Sequence, residues 1–89
     1  MKREQIAKNI VADLKELASL TSDADGAQRI AWTPTFKKAT EWFTQKMQAA
    51  GAEVWTDAAG NSWAKFAGES EECIVIGSHL DSVPDGGWL

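Results

Sequence analysis

Residues 33–56, with the sequence TPTFKKATEWFTQKMQAAGAEVWT, contain the change from helix to strand that decides the fold class. Thr33 is a typical helix cap, and Pro34 suits the first helical position because its missing N–H would be unpaired there anyway. Apolar residues then recur along one helical face, and Gly51 supplies a left-handed cap at the helix end. The residues that follow have a high β-strand propensity and predict a strand, so the sequence indicates an α/β fold.

An amphipathic helix is also predicted upstream, over residues 3–20. Ile6 and Ile10 begin an apolar series at three- and four-residue steps, while most charged residues fall on the other side. Residues 21–28 are polar and show no period, so we predict a loop between the two helices.

Downstream of the second helix, two short segments at residues 53–56 and 62–67 flank a linker rich in turn-forming residues. This arrangement predicts a β-hairpin. The run Cys-Ile-Val-Ile at residues 73–76 is continuously apolar, which is typical of a central strand buried on both faces. Two helices, a hairpin and one central strand imply a sheet that needs further strands.

Composition bounds the class of protein. The 89 residues include 9 Lys and Arg against 13 Asp and Glu, a net charge of −4 without a basic stripe, which argues against nucleic acid as a partner. The single cysteine, Cys73, excludes an intramolecular disulfide and fits a reducing compartment. No apolar run has the length of a signal peptide or a membrane span, so we expect a soluble, cytoplasmic protein without a membrane partner.

Reactive groups concentrate at residues 77–81, Gly-Ser-His-Leu-Asp. His79 is the only histidine, and Asp81 follows two positions later. A histidine that binds a metal commonly has a carboxylate that holds its ring and raises its basicity. On this spacing alone, a structural histidine that forms local hydrogen bonds is the commoner interpretation.

The segment GSHLDSVPDGGWL at residues 77–89 resembles the metal-binding signature of the dinuclear zinc amidohydrolases. This family includes N-carbamoyl-L-amino-acid hydrolases, ureidopropionases and allantoate amidohydrolases, and it is related to aminoacylases and zinc carboxypeptidases. Three further motifs are similar to family motifs in the same order: RIAWTP at 29–34, AGAEV at 50–54 and DAAGN at 57–61. Four ordered motifs are more specific than any one of them.

The resemblance implies that His79 binds one of two metal ions and that Asp81 holds its ring. Gly86 and Gly87 would let the backbone bend close to the site. In the family, two residues separate this glycine pair from an Asp that bridges both ions. Here those two residues are Trp88 and Leu89, so the bridging Asp would come directly after Leu89. The other ligands and the general base lie further downstream in the family. The resemblance therefore implies that the chain is a partial catalytic domain of the three-layer α/β/α, zinc-peptidase-like type, ending just before the bridging Asp.

The function implied by the resemblance is hydrolysis of carbon–nitrogen bonds other than peptide bonds, in N-carbamoyl-L-amino acids or allantoate, by a homodimeric parent enzyme. Zinc is the implied metal, with manganese, cobalt or nickel as alternatives because the ligand types discriminate poorly among them. The chain alone is expected to be inactive, since it contributes only His79 and its supporting Asp81. Two alternatives stay open: a related aminoacylase or dipeptidase, and a nonenzymatic α/β module in which His79 is structural.

Three other polar or reactive residues receive structural interpretations. Arg29 is expected to pair with a local acid such as Asp23 or Asp25. Asp57 is interpreted as a turn former. Cys73 opens an apolar run without an adjacent positive charge, so we predict an inert core residue.

Overall fold

The computed structural model describes residues 2–87, and their regular structure comprises two α-helices and two antiparallel strand pairs. The elements in chain order are α1 (Arg3–Thr21), β1 (Ser22–Asp23), β2 (Gly26–Ala27), α2 (Pro34–Ala49), β3 (Glu53–Thr56) and β4 (Ser62–Lys65). The structure is thus a small α/β fold, as predicted. The described residues divide into two compact units: Thr40–His79 form one, and the residues up to Ala39 with those from Leu80 form the other.

Helix α1 confirms the predicted amphipathic helix and extends it by one residue. Only one face of its C-terminal end is buried, with Leu17 4% exposed and Thr21 3% exposed. The Thr21 hydroxyl donates a hydrogen bond to the Leu17 carbonyl at 2.7 Å. The apolar residues of its first turns, Ile6 and Ile10, are about half exposed. Neither of the two helices described in residues 2–87 is long and apolar enough to cross a membrane.

The segment predicted as a loop between the helices contains a minimal strand pair, so that prediction is wrong in part. Ser22 pairs with Ala27, and Asp23 pairs with Gly26, in antiparallel register. The Asp23 carboxylate accepts a hydrogen bond from the Asp25 N–H at 2.9 Å, which stabilises the turn between the strands. Two-residue strands are too short to produce a detectable period in the sequence.

Helix α2 confirms both predicted ends. The Phe36 N–H donates to Thr33 Oγ1 at 3.2 Å, which is the expected capping hydrogen bond. At the other end Gly51 has a φ of 96°, and the Ala52 N–H donates to the Met47 carbonyl at 2.9 Å. Glycine adopts this left-handed conformation without steric cost, so it ends the helix cleanly.

Strands β3 and β4 form the predicted hairpin, although β4 ends at Lys65 rather than at residue 67. Trp55 and Trp63 lie directly opposite each other, with ring centroids 6.1 Å apart and planes within 8° of parallel. Such cross-strand aromatic pairs stabilise an antiparallel pair of strands.

The predicted central strand at residues 73–76 is not formed. Residues 72–83 have no regular secondary structure, and the side chains of Ile74 and Ile76 are 93% and 91% exposed. Cys73 is also exposed, which corrects its prediction as a core residue. A strand of this kind needs neighbouring strands that pair with its backbone, and the described residues place none beside it. The three-layer α/β/α arrangement therefore stays a prediction.

Candidate functional site

The segment at residues 80–87, which follows His79, is held against β2 and the two residues that follow β2. The Ala27 N–H donates to the Gly86 carbonyl at 2.7 Å, and the Gly86 N–H donates back to the Ala27 carbonyl at 3.0 Å. A Cβ at Gly26 would lie 2.5 Å from the Gly86 oxygen, so only glycine permits this approach. The backbone has a positive φ at Asp85, where φ is 56°, and not at Gly86.

Arg29 supplies the second set of contacts to this segment. Its Nε donates to the Leu80 carbonyl at 2.7 Å, and its carbonyl accepts from the Ser82 N–H at 2.8 Å. Its own N–H donates to Ser82 Oγ at 3.0 Å. The expected pairing of Arg29 with a nearby acid is therefore replaced by a bond to a distant carbonyl. Local sequence patterns carry no signal for a contact between such widely separated positions.

Gln28 completes the connection through its side-chain amide. Its Nε2 donates to Asp85 Oδ1 at 2.7 Å and to Asp23 Oδ1 at 3.0 Å, while its Oε1 accepts from the Asp85 N–H at 3.1 Å. The hydrogen bond from Gln28, together with the one from the Asp25 N–H, lowers the pKa of Asp23. These contacts fix the backbone of residues 80–87, the segment that directly follows His79.

The two predicted site residues differ in exposure. The His79 side chain is exposed, whereas Asp81 is half-buried. Within residues 2–87, no group of three or more potential metal ligands includes His79. The chain thus provides one imidazole for a metal, and the assignment of His79 as ligand and of Asp81 as its support stays a prediction.

One acidic cluster was not anticipated from the sequence. Oxygen atoms of Asp23, Asp25 and Asp85 lie within 4.8 Å of one another, and all three side chains are exposed. Asp23 and Asp85 already accept hydrogen bonds from Gln28. The cluster arises because the pairing of Ala27 with Gly86 brings together residues that are distant in the chain.

The Asp57 turn lies in the other unit and is structural, as predicted. Asp57 Oδ1 accepts from the N–H groups of Ala59 and Asn61 at 3.0 and 2.9 Å. Its Oδ2 accepts from Asn61 Nδ2 at 3.0 Å and from Trp63 Nε1 at 2.9 Å. These bonds, the one from Trp63 above all, lower the pKa of Asp57 to about 2. A carboxylate engaged by four donors organises the hairpin loop and is poorly suited to bind a metal.

Comparison with known proteins finds relatives that are named amidohydrolases or deiminases. The chain is 35% identical over 85 residues to an N-carbamoyl-L-amino-acid amidohydrolase of Paenarthrobacter aurescens, covering 93% of this chain and 21% of that protein. It is 39% identical over 82 residues to allantoate deiminase 1 of Glycine max, covering 89% and 17%. It is 33% identical over 76 residues to an allantoate amidohydrolase of Escherichia coli K12, covering 82% and 18%.

The chain therefore matches a part of the family of N-carbamoyl-L-amino-acid amidohydrolases and allantoate amidohydrolases or deiminases, which confirms the resemblance stated from the four motifs. It spans about a fifth of the length of these relatives. No family profile matches the chain. No solved structure matches it either.

Proposed function

We propose that this chain forms part of a metal-dependent amidohydrolase that cleaves carbon–nitrogen bonds other than peptide bonds. The observation that carries the proposal is the similarity of most of the chain to proteins named N-carbamoyl-L-amino-acid amidohydrolase and allantoate amidohydrolase. The proposed substrates are accordingly N-carbamoyl-L-amino acids or allantoate. The remainder of the catalytic domain lies outside these 89 residues in this proposal.

His79 is the proposed metal ligand of the chain. It is the only histidine, and its side chain is exposed at the start of the segment that Arg29 and Gln28 hold. An imidazole suits zinc, and also manganese, cobalt or nickel. Catalytic zinc sites use about three protein ligands, so the proposal requires further ligands from outside the chain.

The chemistry of the proposed site divides between the metal and the protein. A pair of zinc ions, when bound, supplies an activated water and polarises the scissile carbonyl. The role of Asp81 is to accept the N–H of one His79 ring nitrogen, which orients the ring and leaves the other nitrogen for the metal. The bonds from Arg29 to Leu80 and Ser82 keep this part of the backbone in place.

The proposed enzyme acts on small molecules in the cytoplasm as a homodimer. The net charge of −4 disfavours nucleic acid as a partner. Dimerisation follows from the family resemblance, whereas the location is the expectation drawn above from the sequence; both are part of the proposal.

The test is a substrate comparison with the product of the complete gene, read from its start codon to its natural stop codon. We expect hydrolysis of an N-carbamoyl-L-amino acid or of allantoate that a chelator abolishes and that added zinc restores. Faster hydrolysis of N-acetyl amino acids or dipeptides would identify the aminoacylase or dipeptidase alternative instead. A folded protein that binds no zinc and hydrolyses none of these substrates, even with zinc added, would favour the nonenzymatic module.

A further inference from the structure

Both peptide groups that flank Asp81 are hydrogen-bonded to a single residue, Arg29. The carbonyl before Asp81 belongs to Leu80 and accepts from Arg29 Nε at 2.7 Å. The N–H after Asp81 belongs to Ser82 and donates to the Arg29 carbonyl at 2.8 Å. Ser82 Oγ accepts from the Arg29 N–H at 3.0 Å, which closes a second ring of contacts. The backbone of Asp81 is therefore fixed on both sides by one distant residue.

The hydrogen bonds that Arg29 forms with Leu80 and Ser82, called the Arg29 clamp below, favour arginine over other residues at this position. A guanidinium donates from a rigid plane and forms charge-assisted bonds, whereas a lysine ammonium rotates freely. The contacts are partly buried, and Arg29 Nη1 is enclosed without a hydrogen-bond partner among residues 2–87. An enclosed, unpaired donor is costly, so stability alone would favour a smaller neutral side chain at this position.

We infer that Arg29 is a positioning residue for the metal site: it fixes the backbone of Asp81 so that the Asp81 carboxylate can hold the ring of His79. This inference rests on the proposed function, in which Asp81 accepts the N–H of one ring nitrogen. A carboxylate bound to one nitrogen selects a single neutral tautomer of the imidazole. The tautomer ratio of His79 therefore reports how well Asp81 is positioned, without any bound metal.

The test is NMR of the isotopically labelled 89-residue chain at a pH where the imidazole is neutral. His79 is the only histidine, so its ring signals need no further assignment. We expect one dominant tautomer in the wild type, and a ratio about tenfold lower in Asp81→Asn, the effect of losing a hydrogen bond to a charged group. Arg29→Lys should lower the ratio about threefold through a less rigid clamp.

A double variant tests whether Arg29 acts through Asp81. Arg29→Lys should have no further effect in the Asp81→Asn background, because the carboxylate that it positions is already absent. The matched control is Arg3→Lys, which changes an exposed arginine in the first turn of α1 and should leave the tautomer ratio unchanged.

The outcomes separate this inference from the proposed function. A ratio that responds to Asp81→Asn but not to Arg29→Lys overturns the role of Arg29 and leaves that of Asp81 intact. A ratio that responds to neither variant overturns both. If Arg29→Lys unfolds the chain, Ser82→Ala is the second variant, because it removes the Oγ that accepts from the Arg29 N–H and keeps the guanidinium. An unchanged ratio in folded Ser82→Ala also overturns the inference.

Discussion

Residues 73–79 and residues 80–87 follow each other along the chain but are held very differently. The first segment has the apolar sequence of a central strand, yet Ile74 and Ile76 are more than 90% exposed. The second segment has the composition of a loop, yet Gly86 pairs with Ala27 through two backbone hydrogen bonds. The contrast shows that a strand sequence forms a strand only where neighbouring strands are present. A loop that has specific hydrogen-bond partners is held in place without a periodic sequence.

Among the substitutions considered, Gly26→Ala should weaken the attachment of residues 80–87 the most. The added Cβ would lie 2.5 Å from the Gly86 oxygen, and the φ of 136° at this position is unfavourable for alanine. We expect the free energy of local opening at Gly86, measured by amide hydrogen exchange, to fall by about 3 kcal/mol.

Gly77→Ala is the matched control for this substitution. A Cβ at Gly77 has nothing within 4 Å, so protection at Gly86 should change by no more than about 0.5 kcal/mol. Equal effects of the two substitutions would show that residues 80–87 are not held by β2.

The elements that the sequence predicts correctly are those specified by nearby residues. The capping Thr33, the left-handed Gly51 and the turn-forming Asp57 each act within a few positions, so their roles are visible in the sequence. The bonds from Gln28 and Arg29 to residues 80–87 join distant positions, and no local pattern encodes them. The central strand was mispredicted because its pairing depends on strands that residues 2–87 do not provide.

The hairpin formed by β3 and β4 should lose stability in acid. The pKa of Asp57 is lowered to about 2 in the folded chain, below its ordinary value of 3.8, because Trp63 and Asn61 donate to the ionised carboxylate. Its stabilising contribution is complete above about pH 4 and is lost as the pH falls towards 2. Near-ultraviolet circular dichroism of the stacked Trp55 and Trp63 measures this loss.

Asp57→Asn is the control for the acid effect. Asparagine keeps the shape of the side chain but does not titrate, so the change between pH 4 and pH 2 should shrink markedly. A wild-type signal that stays constant over this range would contradict the role assigned to the Asp57 carboxylate.

The smallest effect is expected for Ile74→Thr in the exposed segment. Ile74 is 93% exposed, so the free energy of unfolding of the 89-residue chain should change by no more than about 0.5 kcal/mol in chemical denaturation. In the product of the complete gene, where the three-layer fold is proposed, the same substitution should cost about 2 kcal/mol or more by removing a core side chain. A cost above about 2 kcal/mol in the 89-residue chain itself would show that this segment is buried.

The metal content of the complete gene product tests the proposed role of His79 most directly. Elemental analysis should find about two ions per chain in the wild type, as expected for a dinuclear site. Ser78→Ala, which changes the exposed neighbour of His79, should retain both ions, whereas His79→Ala should lose metal while its circular dichroism stays that of a folded protein. A folded His79→Ala variant with the full wild-type metal content, or a wild type that binds no metal, would contradict the account.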